Sequence, residues 1–158
     1  MEYTSRRNLN RGYMKLEAWH RGIDLFVLAC RLSERVDDFK LKSQFMDAAQ
    51  SVSANIAEGY GRRSLPEYLQ YLYTSKGSLA ETLTRAIGLH QAKFISMNEF
   101  ENFDILHYEV ENKLLRLIES LERKRGTTEW RDSLPTHPTI QQSIHPPIRP
   151  STNLRSRA

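Results

Sequence analysis

Ser53-Ala54-Asn55-Ile56-Ala57-Glu58-Gly59-Tyr60-Gly61-Arg62-Arg63-Ser64-Leu65-Pro66-Glu67 reads as the end of one helix, a tight turn and the start of the next. Gly59 and Gly61 are expected to end the first of these helices, because glycine accepts the left-handed C′ conformation without a Cβ clash. Ser64 is placed to cap the second, with Glu67 at N3 reaching back to the cap. Two helices joined by so few residues must lie side by side.

Working upstream, Phe45, Ala48, Ala49, Val52 and Ile56 share one face of a helix over about 42–60. The small Ala48, Ala49 and Ser53 would let a neighbour approach closely. Before it, Trp19, Ile23, Phe26, Val27 and Cys30 recur at spacings of three and four, which predicts a first helix over 17–36. Downstream, Leu69, Leu72, Leu79, Leu83, Ala86 and Ile87 face inward along a third helix over 65–93, ~42 Å long at 1.5 Å per residue. Gly77 and Gly88 inside it each cost about 1 kcal/mol relative to Ala, and close helix packing is the expected reason. Ser96 and Glu99 repeat the capping logic and open a fourth helix reaching 125, with Phe100, Phe103, Val110, Leu114, Leu117 and Leu121 as its core stripe.

Four long helices with short connections predict an all-α fold, an antiparallel up-down-up-down four-helix bundle over 15–125. Residues 1–14 lack helical periodicity and read as a flexible basic arm. Residues 126–158 hold five of the six prolines and read as a disordered Pro-rich tail.

The charge is unevenly placed. From Lys15 to Arg125 there are 16 Lys and Arg against 16 Asp and Glu, whereas 1–14 carry three Arg against Glu2 and 126–158 four Arg against Glu129 and Asp132. The excess behind the pI near 9.3 therefore sits in the ends, although a neutral body can still have a basic face. No apolar run approaches the ~20 residues that span a bilayer, and the N-terminus has no apolar signal core. A single Cys30 excludes an internal disulfide and a paired-cysteine metal site. The expected setting is cytoplasmic, without membrane association.

Asn55 and Glu58 lie one turn apart, as a pair that fixes helix-end geometry or contacts a ligand directly. The spacing of the glycines is not that of a P-loop. Arg62, Arg63 and Lys76 interleave with Tyr68, Tyr71 and Tyr73, residues that either stack on unpaired bases or fill a core boundary or oligomer interface. Trp19, Phe45, Tyr60 and these three tyrosines are more aromatic surface than one core holds, which favours self-association. His20, His90 and His107 stand singly on separate helices, so no metal site and no cofactor are expected. Cys30 reads as a buried small hydrophobe. No catalytic constellation is present, and the chain is expected not to be an enzyme.

The run from Gln44 through Ser53–Ser64, followed by Glu67-Tyr68, Leu72-Tyr73 and Ser75-Lys76-Gly77-Ser78-Leu79-Ala80-Glu81, resembles the bacterial four-helix bundle proteins encoded within intervening sequences of 23S ribosomal RNA genes. The resemblance covers about 16–125. Asn55, Glu58 and Gly59 match its central motif, Arg62 and Ser64 the following turn, and Gly77, Ser78 and Glu81 its third-helix motif. It implies a ring-forming bundle, typically a homopentamer. The accessory variability proteins of diversity-generating retroelements are similar in fold, which implies binding to nucleic acid and to a reverse transcriptase. One departure stands out: where the family places basic residues after Gln44, this chain has Phe45-Met46-Asp47.

The expected function is that of a non-enzymatic oligomer contacting RNA or an RNA–DNA intermediate through phosphates. Arg6, Arg7, Arg11, Arg62, Arg63 and Lys76 are the candidate contacts. The alternative is a protein-interaction scaffold or reverse-transcriptase accessory subunit that binds no nucleic acid itself.

Overall fold

Asp38, Ser64 and Ser96 each sit in extended backbone, and their side chains accept a backbone N–H at the third residue of a helix. They open three of the four long helices in the computed structural model, which describes residues 4–6 and 8–125. These helices are α1 (Glu17–Ser33), α2 (Phe39–Tyr60), α3 (Leu65–Gln91) and α4 (Met97–Lys124), preceded by a short 3-10 helix, Leu9–Lys15. No strand occurs among the described residues. The tail 126–158 and Arg7 lie outside them.

Each long helix packs on two others: α1 on α2 and α4, and α3 on α2 and α4. The contacts run in opposite chain order. Glu17, early in α1, meets Lys113, late in α4, while Arg35, just past α1, meets Glu99 near the start of α4. Gln44, early in α2, bonds Arg85, late in α3. The core is centred on Phe45 and Phe103, whose ring centroids are 5.4 Å apart, with Leu25, Ile56, Leu72, Leu79 and Leu114 fully buried around them. Each such side chain contributes roughly 1.5–3 kcal/mol by burial.

Several expectations are corrected. On α1 the buried stripe is Ala18, Gly22, Leu25, Ala29 and Leu32, about one residue away from the expected Trp19–Cys30 stripe. Small residues face α2 because the helices approach closely: a Cβ on Gly22 would lie 3.2 Å from Ser53 Cβ. The bulkier Trp19 and Phe26 pack at the flank, and Val27 is 41% exposed. Ile87, expected inward, is 40% exposed.

Gly59 does not end α2. It is buried within the last turn, and Gly61, the cap, has φ −78°, an ordinary right-handed value. Nor do Gly77 and Gly88 mark a close approach within the chain, since a Cβ at either would meet nothing within 4 Å. Glu67 does not reach back to the Ser64 backbone; its carboxylate takes the Ser64 hydroxyl at 2.6 Å instead. Finally, 9–14, expected to belong to a mobile arm, fold with Lys15 into the 3-10 helix and pack on α1 and α2.

The core also contains polar groups that apolar periodicity passes over. The Ser75 hydroxyl donates to the Val52 carbonyl at 2.8 Å, tying α3 to α2. His107 Nε2 lies 2.9 Å from the Leu79 carbonyl, tying α4 to α3. Buried polar groups are costly unless bonded, and these are.

Candidate nucleic-acid interface at the motif end

The motif residues meet where α2 turns into α3. Gly59 is held against the rings that follow, because a Cβ there would sit 2.7 Å from Tyr71 Cβ and 2.9 Å from Tyr68 Cδ2. Only a glycine lets α3 begin so near the end of α2. Arg62 then folds back. It donates to the Glu58 carboxylate one turn earlier and to the Tyr71 hydroxyl, and its guanidinium lies 4.4 Å from the Tyr71 ring centroid. The hydrogen bond between Tyr71 and Glu58, with burial second, pushes the Tyr71 phenol above its ordinary pKa. Asn55 Nδ2 donates to the Ser51 carbonyl at 2.7 Å, so this amide serves its own helix. Ser64 caps α3.

The N-terminal segment joins this corner. Tyr13 packs edge-on against Trp19 at 5.3 Å and Tyr60 at 6.3 Å, and Tyr60 packs against Tyr68 at 6.0 Å. His20 Nε2 lies 2.7 Å from the Met14 carbonyl. The Arg11 guanidinium donates to the Thr4 hydroxyl at 3.5 Å and the Arg6 carbonyl at 3.3 Å, with no carboxylate partner among the described residues. Tyr68 is buried, Tyr71 half-buried and Tyr73 exposed. Tyr73 donates to Glu122 of α4.

The third-helix motif lies further along. Ser78 donates to the Thr74 carbonyl at 3.2 Å. Glu81 pairs with Arg85 at 2.6 Å, and Arg85 also donates to Gln44 Oε1 at 2.9 Å. Arg85 thus bridges two motif residues across the helix pair. Its i+4 spacing from Glu81 was the available signal, and no motif pointed to it. Lys76 is exposed and stands apart, twelve residues beyond Ser64 and so ~18 Å along α3.

The structure therefore brings Glu58, Gly59, Arg62 and Ser64 together and leaves Lys76, Ser78 and Glu81 elsewhere. Of the motif-end cations, Arg62 is compensated by Glu58. Arg63 is exposed and pairs with no carboxylate among the described residues. No group of three or more potential metal ligands occurs among the described residues, and no described helix is long and apolar enough to cross a membrane.

A helical protein whose Asn55–Ser64 motif organises a helix turn flanked by cations is the class these features define. The chain belongs to the 23S rRNA-intervening sequence protein family, whose model matches residues 14–116. It is similar in fold to the 1.70 Å crystal structure of a protein of unknown function from the S23 ribosomal protein family of Bacteroides thetaiotaomicron VPI-5482. The two share 18% identity and a TM-score of 0.61 over 64% of this chain and 97% of that one. No curated protein matches the chain.

Proposed function

We propose that the chain is a non-enzymatic, oligomeric nucleic-acid-binding protein that contacts RNA or an RNA–DNA intermediate through phosphates. The observation that carries this reading is the set of cations beside the family motif, Arg63, Arg6 and Arg11, that no carboxylate among the described residues neutralises. Phosphate contacts need such groups, and binding through them is tolerant of sequence.

The fold reading is an antiparallel up-down-up-down bundle, supported by the opposite chain order of every helix contact described above. Assembly into a homopentameric ring is supported by two apolar surfaces that the single chain leaves open. One is on α4, where Ile105 and Tyr108 are 63% and 65% exposed; the other is the Ile23, Val27 and Cys30 flank of α1. A pair of unlike faces is what a head-to-tail ring requires.

The second reading is a protein scaffold, or an accessory subunit of a reverse transcriptase like those of the diversity-generating retroelements. It is favoured by the compensation of Arg62 and Arg85. Measuring mass by light scattering alongside binding to structured RNA and single-stranded DNA at low salt separates the two. A pentamer-sized particle that binds, and binds more weakly as an Arg62→Ala/Arg63→Ala variant, supports the first. A well-formed ring that retains no nucleic acid leaves the scaffold.

A further inference from the structure

The body from Lys15 to Arg125 is neutral in sum, yet the fold sorts its charge by end. The contacts of Glu17 with Lys113, and of Gly59 with Tyr68 and Tyr71, gather the starts of α1 and α3 with the ends of α2 and α4. Gly12 against Tyr60 adds the N-terminal segment to the same end. The described residues among 4–20, 55–75 and 111–125 carry ten Lys and Arg against six Asp and Glu. Residues 31–47 and 85–105, at the other end, carry six against seven. The 28 residues of α4 separate the two ends by ~40 Å, several times the ~8 Å over which charge is screened at physiological ionic strength. The acidic end therefore does not cancel the basic one.

We propose that nucleic acid engages this basic pole end-on, and that the ligand is RNA with unpaired bases. The inference rests on the nucleic-acid reading above and adds where and in what form the strand binds. Lys15, Arg63, Arg116 and Arg123 come from three elements, the 3-10 helix, the turn between α2 and α3, and α4, and form no ion pair with a carboxylate among the described residues, although the charge of Arg116 reaches Glu17. Arg116 and the Lys113–Glu17 pair line a cleft of about 120 Å³ with Leu16, Ala18 and Leu117. The half-buried Tyr13, Trp19 and Tyr60 stand among these cations. Cations tracking a backbone beside aromatic rings form the arrangement that holds single strands, because every base has a stackable face.

The test is fluorescence anisotropy of a short single-stranded RNA titrated with the full chain, across a salt series. Two charge-matched variants are compared, Lys15→Glu/Arg63→Glu/Arg123→Glu at the pole and Arg31→Glu/Lys40→Glu/Lys42→Glu at the opposite end. Five of the six side chains are exposed and Lys42 is half-buried, and glutamine versions of both triples guard against a folding effect of charge reversal. The pole triple is expected to weaken binding about tenfold or more and to flatten the log–log salt slope by ~2, at ~0.7 per lost phosphate contact. The opposite triple should change affinity less than about twofold. Equal losses in both triples would overturn the pole while leaving nucleic-acid binding intact. No binding of RNA by the native chain, with capture by phosphatidylserine vesicles instead, would overturn both and assign the pole to a membrane surface.

Discussion

Gly59, Gly77 and Gly88 show how one residue type serves different ends. At Gly59 a methyl group would meet Tyr71 Cβ at 2.7 Å, and no rotamer change moves a Cβ. Gly59→Ala is expected to destabilise the chain by about 1–3 kcal/mol, the usual cost of overpacking, measured by urea denaturation. Gly77→Ala and Gly88→Ala have open space and should stabilise the isolated chain by about 0.5–1 kcal/mol each through helix propensity. Should those glycines line a ring contact, the same substitutions would weaken assembly in light scattering. At this scale the sequence was only partly legible. The motif glycine was evident, but its role was assigned to backbone conformation when the cause is proximity to two tyrosines nine and twelve residues on. His107 sits four residues after Phe103 and three before Val110 on the buried stripe of α4, yet it reads as polar in isolation because its partner, the Leu79 carbonyl, lies on another helix.

The helix starts were legible because capping is local chemistry. Ser96 and Glu99 form the full reciprocal box at the start of α4. Ser96→Ala is expected to cost about 1 kcal/mol, read as a lowered urea midpoint. The Ser96 backbone N–H, then its hydroxyl, and then the charge of Arg35 hold the Glu99 carboxyl below its ordinary 4.5. A carboxylate depressed in the folded state contributes stability that is present above its unfolded value and is lost as pH falls through the folded one. Thermal melts should therefore show an acid-side loss beginning below about pH 4.5 that is smaller in Glu99→Gln. The end of α3 was expected near 93 and falls at Gln91, but the left-handed turn that closes it was not legible. Lys93 has φ 66°, and its N–H reaches the His90 carbonyl while the Phe94 N–H reaches that of Leu89, the paired bonds of a Schellman turn. Nothing in the local sequence marks this position, since the favoured residue there is glycine. Lys93→Gly is expected to raise stability by about 1 kcal/mol by relieving the left-handed conformation. A lowered melting temperature would show that the Lys93 side chain contributes more than its backbone costs.

For the molecule as a whole, four long helices were readable from apolar spacing and turn chemistry, while the sorting of charge between ends was not. A running count along the chain gives a neutral body, and only the opposite order of the helix contacts reveals that Arg63, Lys15 and Arg123 share an end. The folding of the 9–14 segment was not legible for a related reason. It has no periodicity of its own, and it folds because Tyr13 and Gly12 find Trp19 and Tyr60 on other elements. The measurement that tests nucleic-acid binding most directly is the affinity of the native full chain for single-stranded RNA across a salt series. The account predicts a linear fall of log affinity with log salt, at ~0.7 per phosphate contacted. Affinity that is absent at low salt, or unchanged as salt rises, would contradict it.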